Sequence, residues 1–225
     1  MDVVLGLSGG MDSATLLGYY LERGAKVYCC MFSYGSKHNP YENAAAWQVI
    51  AYYRKHGFIV AHSVFDLAPA MLGFRSALME NGPAIPEGHY AAESMRQTVV
   101  PGRNLIMASV MAGFAESIGA GVIALGVHSG DHHIYPDCRP EFIEALKTTV
   151  ECSSARAVMV QAPFSHDDKE SILRRGFSYA VPVPYELTRT CYKAQELSCG
   201  KCGSCTERLE AFEALGRMDP IPYER

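Results

Sequence analysis

Val3-Val4-Leu5-Gly6-Leu7 is a short unbroken apolar run, as expected of a strand buried on both faces. Ser8-Gly9-Gly10 follows as a turn, and Asp12 or Ser13 stands where it can cap a helix that runs to about Arg23 and ends at Gly24. Val27 to Phe32 repeats the buried-strand pattern. Pro40 suits the first turn of a helix that passes through Trp47 to about Lys55 and stops at Gly57, and Phe58 to Val64 reads as a third strand. Strand, helix, strand, helix, strand predicts an α/β fold, a doubly wound, Rossmann-like parallel sheet with right-handed crossovers.

Residues 66–100 break this rhythm. Pro69, Gly73, Gly82, Pro83, Pro86 and Gly88 predict a loop-rich insertion with one short helix. Pro101-Gly102-Arg103-Asn104 opens a helix to about Ser117. Gly121 to Val127 is a fourth strand, Pro140 to Val150 a helix, Ala157 to Gln161 a fifth strand and Asp167 to Arg175 another helix. From about Tyr185 the chain becomes Cys-rich. Two units are expected: an α/β domain over 1–185 and a small helical tail over 186–225 packed on it.

The longest apolar stretch, Leu105 to Val127, is interrupted by Glu116, Gly119 and Gly121, so a helix, a turn and a buried strand fit better than a membrane span. Met1-Asp2 lacks the basic start of a secretory leader, so a cytoplasmic protein is expected. The net charge of −4 argues against holding nucleic acid by its phosphates, which takes clustered Lys and Arg, but leaves room for a small anionic ligand.

Leu7-Ser8-Gly9-Gly10-Met11-Asp12-Ser13 lies where the first strand meets its helix. A Walker-type P-loop does not fit, because the turn has no lysine. Gly6-Leu7-Ser8-Gly9-Gly10 matches the nucleophile-elbow spacing, but an elbow needs an earlier strand to carry its oxyanion loop, and none precedes residue 8. The SGGxDS loop of the PP-loop ATP pyrophosphatases resembles Ser8 to Ser13 residue for residue. Two glycines let backbone N–H groups close around an anion, and the helix start adds positive potential. Asp12 suits such a site when Mg²⁺ bridges it to phosphate oxygens.

Eight cysteines are many for a reducing compartment, and Cys191, Cys199, Cys202 and Cys205 fall within fifteen residues, with Gly200 and Gly203 allowing tight turns. Four thiolates fill the tetrahedral shell of a structural Zn²⁺, and an iron–sulfur cluster is the rival occupant. Cys29 and Cys30 read as core. Three histidines and an acid in His128-Ser129-Gly130-Asp131-His132-His133 also raise a second metal, although loop histidines are more often hydrogen-bonded or solvated.

Further pieces extend the likeness to nearly the whole chain. Ser8 to Ser13, Val100-Pro101-Gly102-Arg103-Asn104, Tyr135-Pro136-Asp137-Cys138-Arg139-Pro140-Glu141-Phe142 and the four-cysteine tail together resemble the QueC family of the queuosine pathway. The segment Phe32-Ser33-Tyr34-Gly35-Ser36-Lys37-His38 departs from that family's common F-D-Y-G-Q-R-H at Ser33, Ser36 and Lys37, and the acidic group is the one missing at Ser33. The resemblance implies a ligase. ATP adenylates the acid 7-carboxy-7-deazaguanine, ammonia gives an amide, and a second ATP drives formation of the nitrile 7-cyano-7-deazaguanine (preQ0).

On that reading Leu7, Ser8, Gly9, Gly10, Met11 and Ser13 form the ATP loop, Asp12 helps hold Mg²⁺, and Lys169 neutralises phosphate charge. Arg139 grips the substrate carboxylate, Asp131 or Asp137 accepts hydrogen bonds from the guanine-like edge beside Tyr135, and Arg103 and Asn104 contact nucleotide or base. Cys191, Cys199, Cys202 and Cys205 hold zinc. The partners are then the small acid and ammonia, without nucleic acid or membrane, and a homodimer is left open. Two rivals share the loop: a tRNA-modifying PP-loop enzyme, and a related ligase that joins the deazaguanine carboxylate to a macromolecular amine.

Overall fold

The computed structural model describes residues 1–89 and 92–224. Five strands form one parallel sheet in the order β3-β2-β1-β4-β5. They are β1 (Asp2–Gly6), β2 (Lys26–Ser33), β3 (Val60–Asp66), β4 (Val122–Ala124) and β5 (Met159–Gln161). Registers such as Val4 opposite Tyr28 and Ile123 lock the central strand between its neighbours. The helices are α1 (Met11–Glu22), α2 (Asn39–Lys55), α3 (Ala68–Met71), α4 (Arg103–Ile118), α5 (Pro140–Ser153), α6 (Lys169–Ser178) and α7 (Gly203–Ala214).

Alternation along the strands explains the double winding. Val3, Leu5, Val27, Cys29 and Met31 face one way and pack with α1, α2, α6 and α7 through Leu17, Val49, Ile172 and Phe212. Val4, Cys30 and Phe32 face the other way and pack with α4 and α5 through Met111 and Ile143. Every β1 residue from Val3 to Leu5 is fully buried, which is why the run is apolar without a polar alternate.

Some expected boundaries shift. β3 begins at Val60 and reaches Asp66, because Gly57 and Phe58 close α2 by hydrogen bonds back to Arg54 and Tyr53. β4 spans only Val122–Ala124, since the chain beyond turns out to form the crevice wall described below. The 66–100 insertion contains two short helical pieces, α3 and a 3₁₀ turn at Glu93–Thr98, and its residues 90 and 91 lie outside the described residues. Neither Asp12 nor Ser13 caps α1. Gly10 is its N-cap and no side chain satisfies the first turn.

The C-terminal tail folds over the edge of the domain. Arg208 of α7 is fully buried and donates to both oxygens of Asp219, at 2.7 and 2.9 Å, and to Thr188, Thr190 and the Tyr185 carbonyl. Among the described residues, no helix is long and apolar enough to cross a membrane.

Candidate active site

The sheet order reverses between β1 and β4, and in open α/β sheets the crevice outside the carboxyl ends of the strands at such a point is where ligands bind. A crevice of about 230 Å³ occupies this place. One wall is the loop from Leu7 to Ser13 and the other is the chain from Ala124 to Asp131.

The loop is built for an anion. Gly9 has φ +79°, a left-handed conformation that suits glycine, and a Cβ there would lie 2.6 Å from the backbone of Glu42 and Ala46. Ser8 Oγ and Ser13 Oγ lie 3.1 Å apart, and Ser13 Oγ also donates to the Gly10 carbonyl. With no side-chain cap, the first N–H groups of α1 are left for a ligand.

Charged groups gather beside this loop. Lys169 Nζ, at the start of α6, is 2.9 Å from Asp12 Oδ2 and 2.8 Å from Glu207 Oε2. Lys169 is 8 % exposed. Burial alone would discharge it, but Asp12, Glu207 and Asp131 outweigh burial and hold the ammonium firmly protonated. Burial also pushes the Glu207 carboxyl upward, against the pull of Lys169. His128 Nδ1 accepts from the Gly130 N–H, so Nε2 carries the ring proton in the neutral tautomer and faces Asp131 Oδ2 at 3.5 Å. Asp12 Oδ1 is buried and has no hydrogen-bond partner. An orphaned carboxylate oxygen beside an anion loop fits a hard divalent cation.

The opposite end of the crevice is aromatic. Phe32, Tyr34, Tyr135, Tyr192, Met107 and Met111 line it together with Arg103, Asn104 and Cys138. Tyr135 Oη is 2.7 Å from Thr98 Oγ1 and 3.2 Å from Tyr192 Oη. Arg103 reaches Tyr34 Oη at 3.4 Å, and although burial opposes its charge, the surrounding tyrosines keep it a cation. His38 sits behind this end, 1 % exposed, and burial depresses its pKa against the opposing pull of Glu42, so its ring is neutral. Burial pushes the Cys138 thiol far up, so it is no nucleophile.

The expected site residues thus divide. Leu7, Ser8, Gly10, Asp12, Ser13, Arg103, Asn104, Asp131, Tyr135 and Lys169 line one crevice. Gly9 shapes the loop from behind, and Met11 is buried in the core. Asp137 and Arg139 do not line the crevice. Asp137 Oδ2 accepts the Asn104 N–H at 2.8 Å and so anchors the start of α4, whose orphan donors need a partner. Arg139 is exposed and donates to the His132 carbonyl at 2.9 Å. Arg139 stands just before α5 with its side chain at the surface, whereas Arg103 lines the aromatic end of the crevice.

Sequence reasoning missed Glu207, His38 and Tyr192, and raised His128 only as a ligand of a second metal. Tyr192 lies among the four cysteines and Glu207 just beyond them, a segment read only as a metal-binding tail, and His38 ends the segment compared with F-D-Y-G-Q-R-H.

The cysteine expectation has its geometry. The Sγ atoms of Cys191, Cys199, Cys202 and Cys205 all lie within 4.8 Å of one another and are buried. Backbone N–H groups of Lys193 and Cys199 point at Cys191 Sγ, and those of Lys201 and Cys202 at Cys199 Sγ, as suits thiolates. With metal–sulfur bonds of about 2.3 Å, tetrahedral sulfurs stand ~3.8 Å apart, so the four cysteines fit a metal ion. Among the described residues, His128, His132 and His133 gather into no such group.

A doubly wound sheet with a glycine-serine anion loop at its switch point is the fold of the PP-loop ATP pyrophosphatases. NMN synthetase from Francisella tularensis has this fold, with a TM-score of 0.51 at 12 % identity over 96 % of this chain and 77 % of that one. A 4-thiouridine synthetase, solved with RNA and bound ATP, also matches with a TM-score of 0.51, at 19 % identity over 93 % of this chain and 49 % of that one. The model of the queuosine biosynthesis protein QueC matches residues 2–216. The 7-cyano-7-deazaguanine synthase of Methanoregula boonei is 45 % identical over all 225 residues of both chains. That of Marinomonas sp. is 42 % identical over 96 % of this chain and 95 % of its own. The chain belongs to the QueC family.

Proposed function

We propose that the chain is a ligase that converts 7-carboxy-7-deazaguanine and ammonia to 7-cyano-7-deazaguanine at the expense of two ATP. The observation that carries this reading is a single crevice with two unlike ends. Ser8, Ser13, Asp12 and Lys169 stand at one, and Tyr34, Tyr135, Tyr192 and Arg103 at the other. Such a crevice brings a polyphosphate and a planar heterocyclic acid face to face.

A carboxylate is a poor electrophile until its oxygen becomes part of a phosphate ester. The Ser8–Ser13 loop cradles the β and γ phosphates, with Leu7 and Met11 fixing its two stems. Lys169 neutralises charge on pyrophosphate as it leaves. Asp12, through its orphaned Oδ1, is the residue to hold Mg²⁺, which supplies phosphate charge neutralisation. Arg103 takes the substrate carboxylate, Asn104 the nucleotide or base, and Tyr135 and Asp131 border the heterocycle. Attack by ammonia on the acyl-adenylate releases AMP and one proton, giving the amide. Adenylation of the amide oxygen, loss of two protons from nitrogen and departure of AMP then give the nitrile. The protein contributes mainly positioning and charge stabilisation.

The four cysteines hold one Zn²⁺, a closed structural site. Their mutual spacing supports one ion; a cluster with one cysteine on each of several irons would spread the sulfurs further. None of the eight cysteines is in a disulfide, in keeping with a reducing cytoplasm. Incubation of the purified chain with the acid, ATP, Mg²⁺ and ammonium tests the reading: the product mass is that of the nitrile, with the amide preceding it. Accumulation of the acid unchanged, with ATP bound, would refute it.

A further inference from the structure

The metal-bearing tail is more than a staple. Glu207 sits on α7, two residues after Cys205, yet its carboxylate stands 2.8 Å from the Nζ of Lys169, which lines the phosphate end of the crevice. Its side chain is 13 % exposed. Three features fix it there. Cys202 and Cys205 hold the first turn of α7, and the adjacent Arg208 is locked in the core by five hydrogen bonds. Gly130 in the opposite wall leaves no spare room, since a Cβ there would come within 2.7 Å of Glu207 Oε1.

We propose that Glu207 is a positioning residue for Lys169. Lys169 forms ion pairs with Asp12 and Glu207, to which the Asp131 charge adds, and of the two paired acids Asp12 belongs to the nucleotide loop. When Asp12 turns to the cation that accompanies ATP, Glu207 remains as the fixed partner that keeps the ammonium at the same point. Without it, Lys169 collapses onto Asp12, and one ion pair then occupies both groups the phosphates need. This inference rests on the ATP site proposed above.

The signature is a split between binding and rate. A carboxylate near a polyphosphate repels it, so on Coulomb grounds alone its removal leaves nucleotide affinity unchanged or improved. Loss of a positioned charge falls on the transition state instead and lowers kcat. A merely structural role would lower stability, affinity and rate together.

The experiment compares wild type, Glu207→Gln, Glu207→Asp and Gly130→Ala. It measures thermal midpoint, calorimetric affinity for Mg²⁺ with α,β-methylene-ATP, which cannot be cut between α and β, and the kcat and KM of pyrophosphate release. Glu207→Gln is expected to lower kcat about tenfold while KM and affinity for the analogue hold or tighten. Glu207→Asp recovers part of the rate, and Gly130→Ala, whose Cβ presses on both the Glu207 carboxylate and the His128 ring, lowers kcat as well. An unchanged kcat in Glu207→Gln overturns the proposal, as does a joint loss of affinity, rate and thermal midpoint. If wild type itself fails to bind the analogue, the ATP site is wrong, a result distinct from either.

Discussion

Lys169 Nζ and Asp12 Oδ2 meet at 2.9 Å although the residues lie 157 positions apart. The pair joins the first turn of α6 to the first turn of α1 across the strand ends, beside the anion loop. Asp12 keeps one oxygen for Lys169 and leaves the other without a partner. Replacing Asp12 by Asn preserves shape but removes the charge that pairs with Lys169 and would hold the cation. Turnover is expected to fall at least about tenfold, or ~1.4 kcal/mol of transition-state stabilisation. Steady-state pyrophosphate release measures it, and a rate within twofold of wild type would contradict the role.

Gly9 is the residue on which the loop's shape depends. Gly9→Ala places a Cβ against the α2 backbone and forces a left-handed conformation that costs a substituted residue about 1–2 kcal/mol by itself. The denaturation midpoint and nucleotide binding should both fall. An alanine variant as stable as wild type would mean that the loop can relax away from α2.

Arg208 and Asp219 form a pair buried to 0 % and 2 % side-chain exposure. Arg208→Ala strands the Asp219 carboxylate, and losing one partner of a buried pair costs about 3–5 kcal/mol. Urea denaturation reads the loss, and the double change Arg208→Met with Asp219→Leu should restore part of it. Equal instability of the single and double variants would assign the cost to packing instead.

The cysteine cluster is expected to bring one zinc per chain. Chelation should lower the thermal midpoint, and Cys199→Ser should reduce soluble yield. Elemental analysis is the check; iron and sulfide with visible absorption would replace zinc by a cluster.

The sheet was legible from apolar runs because β1, β2 and β4 are buried on both faces, and the loop was legible because Ser8 to Ser13 is a contiguous motif. Positions defined by long-range packing were not. Asp137 and Arg139 stand in a distinctive motif, and only the fold shows that Asp137 holds the start of α4 while Arg139 precedes α5 at the surface. Glu207 carries no local mark, since only the docking of α7 brings it to Lys169. β4 was overextended because Leu125 to Val127 are apolar to line a crevice rather than to continue a strand.

In the proposed reaction, two successive adenylations strip both oxygens from one carboxylate. The most direct measurement uses acid carrying ¹⁸O in both carboxylate positions, with ATP, Mg²⁺ and ammonium, and mass spectra of every product. The expected products are unlabelled nitrile, unlabelled pyrophosphate and two AMP per nitrile, each with one ¹⁸O. Label in orthophosphate with ADP as the nucleotide product, or an amide that keeps its ¹⁸O and goes no further, would contradict it.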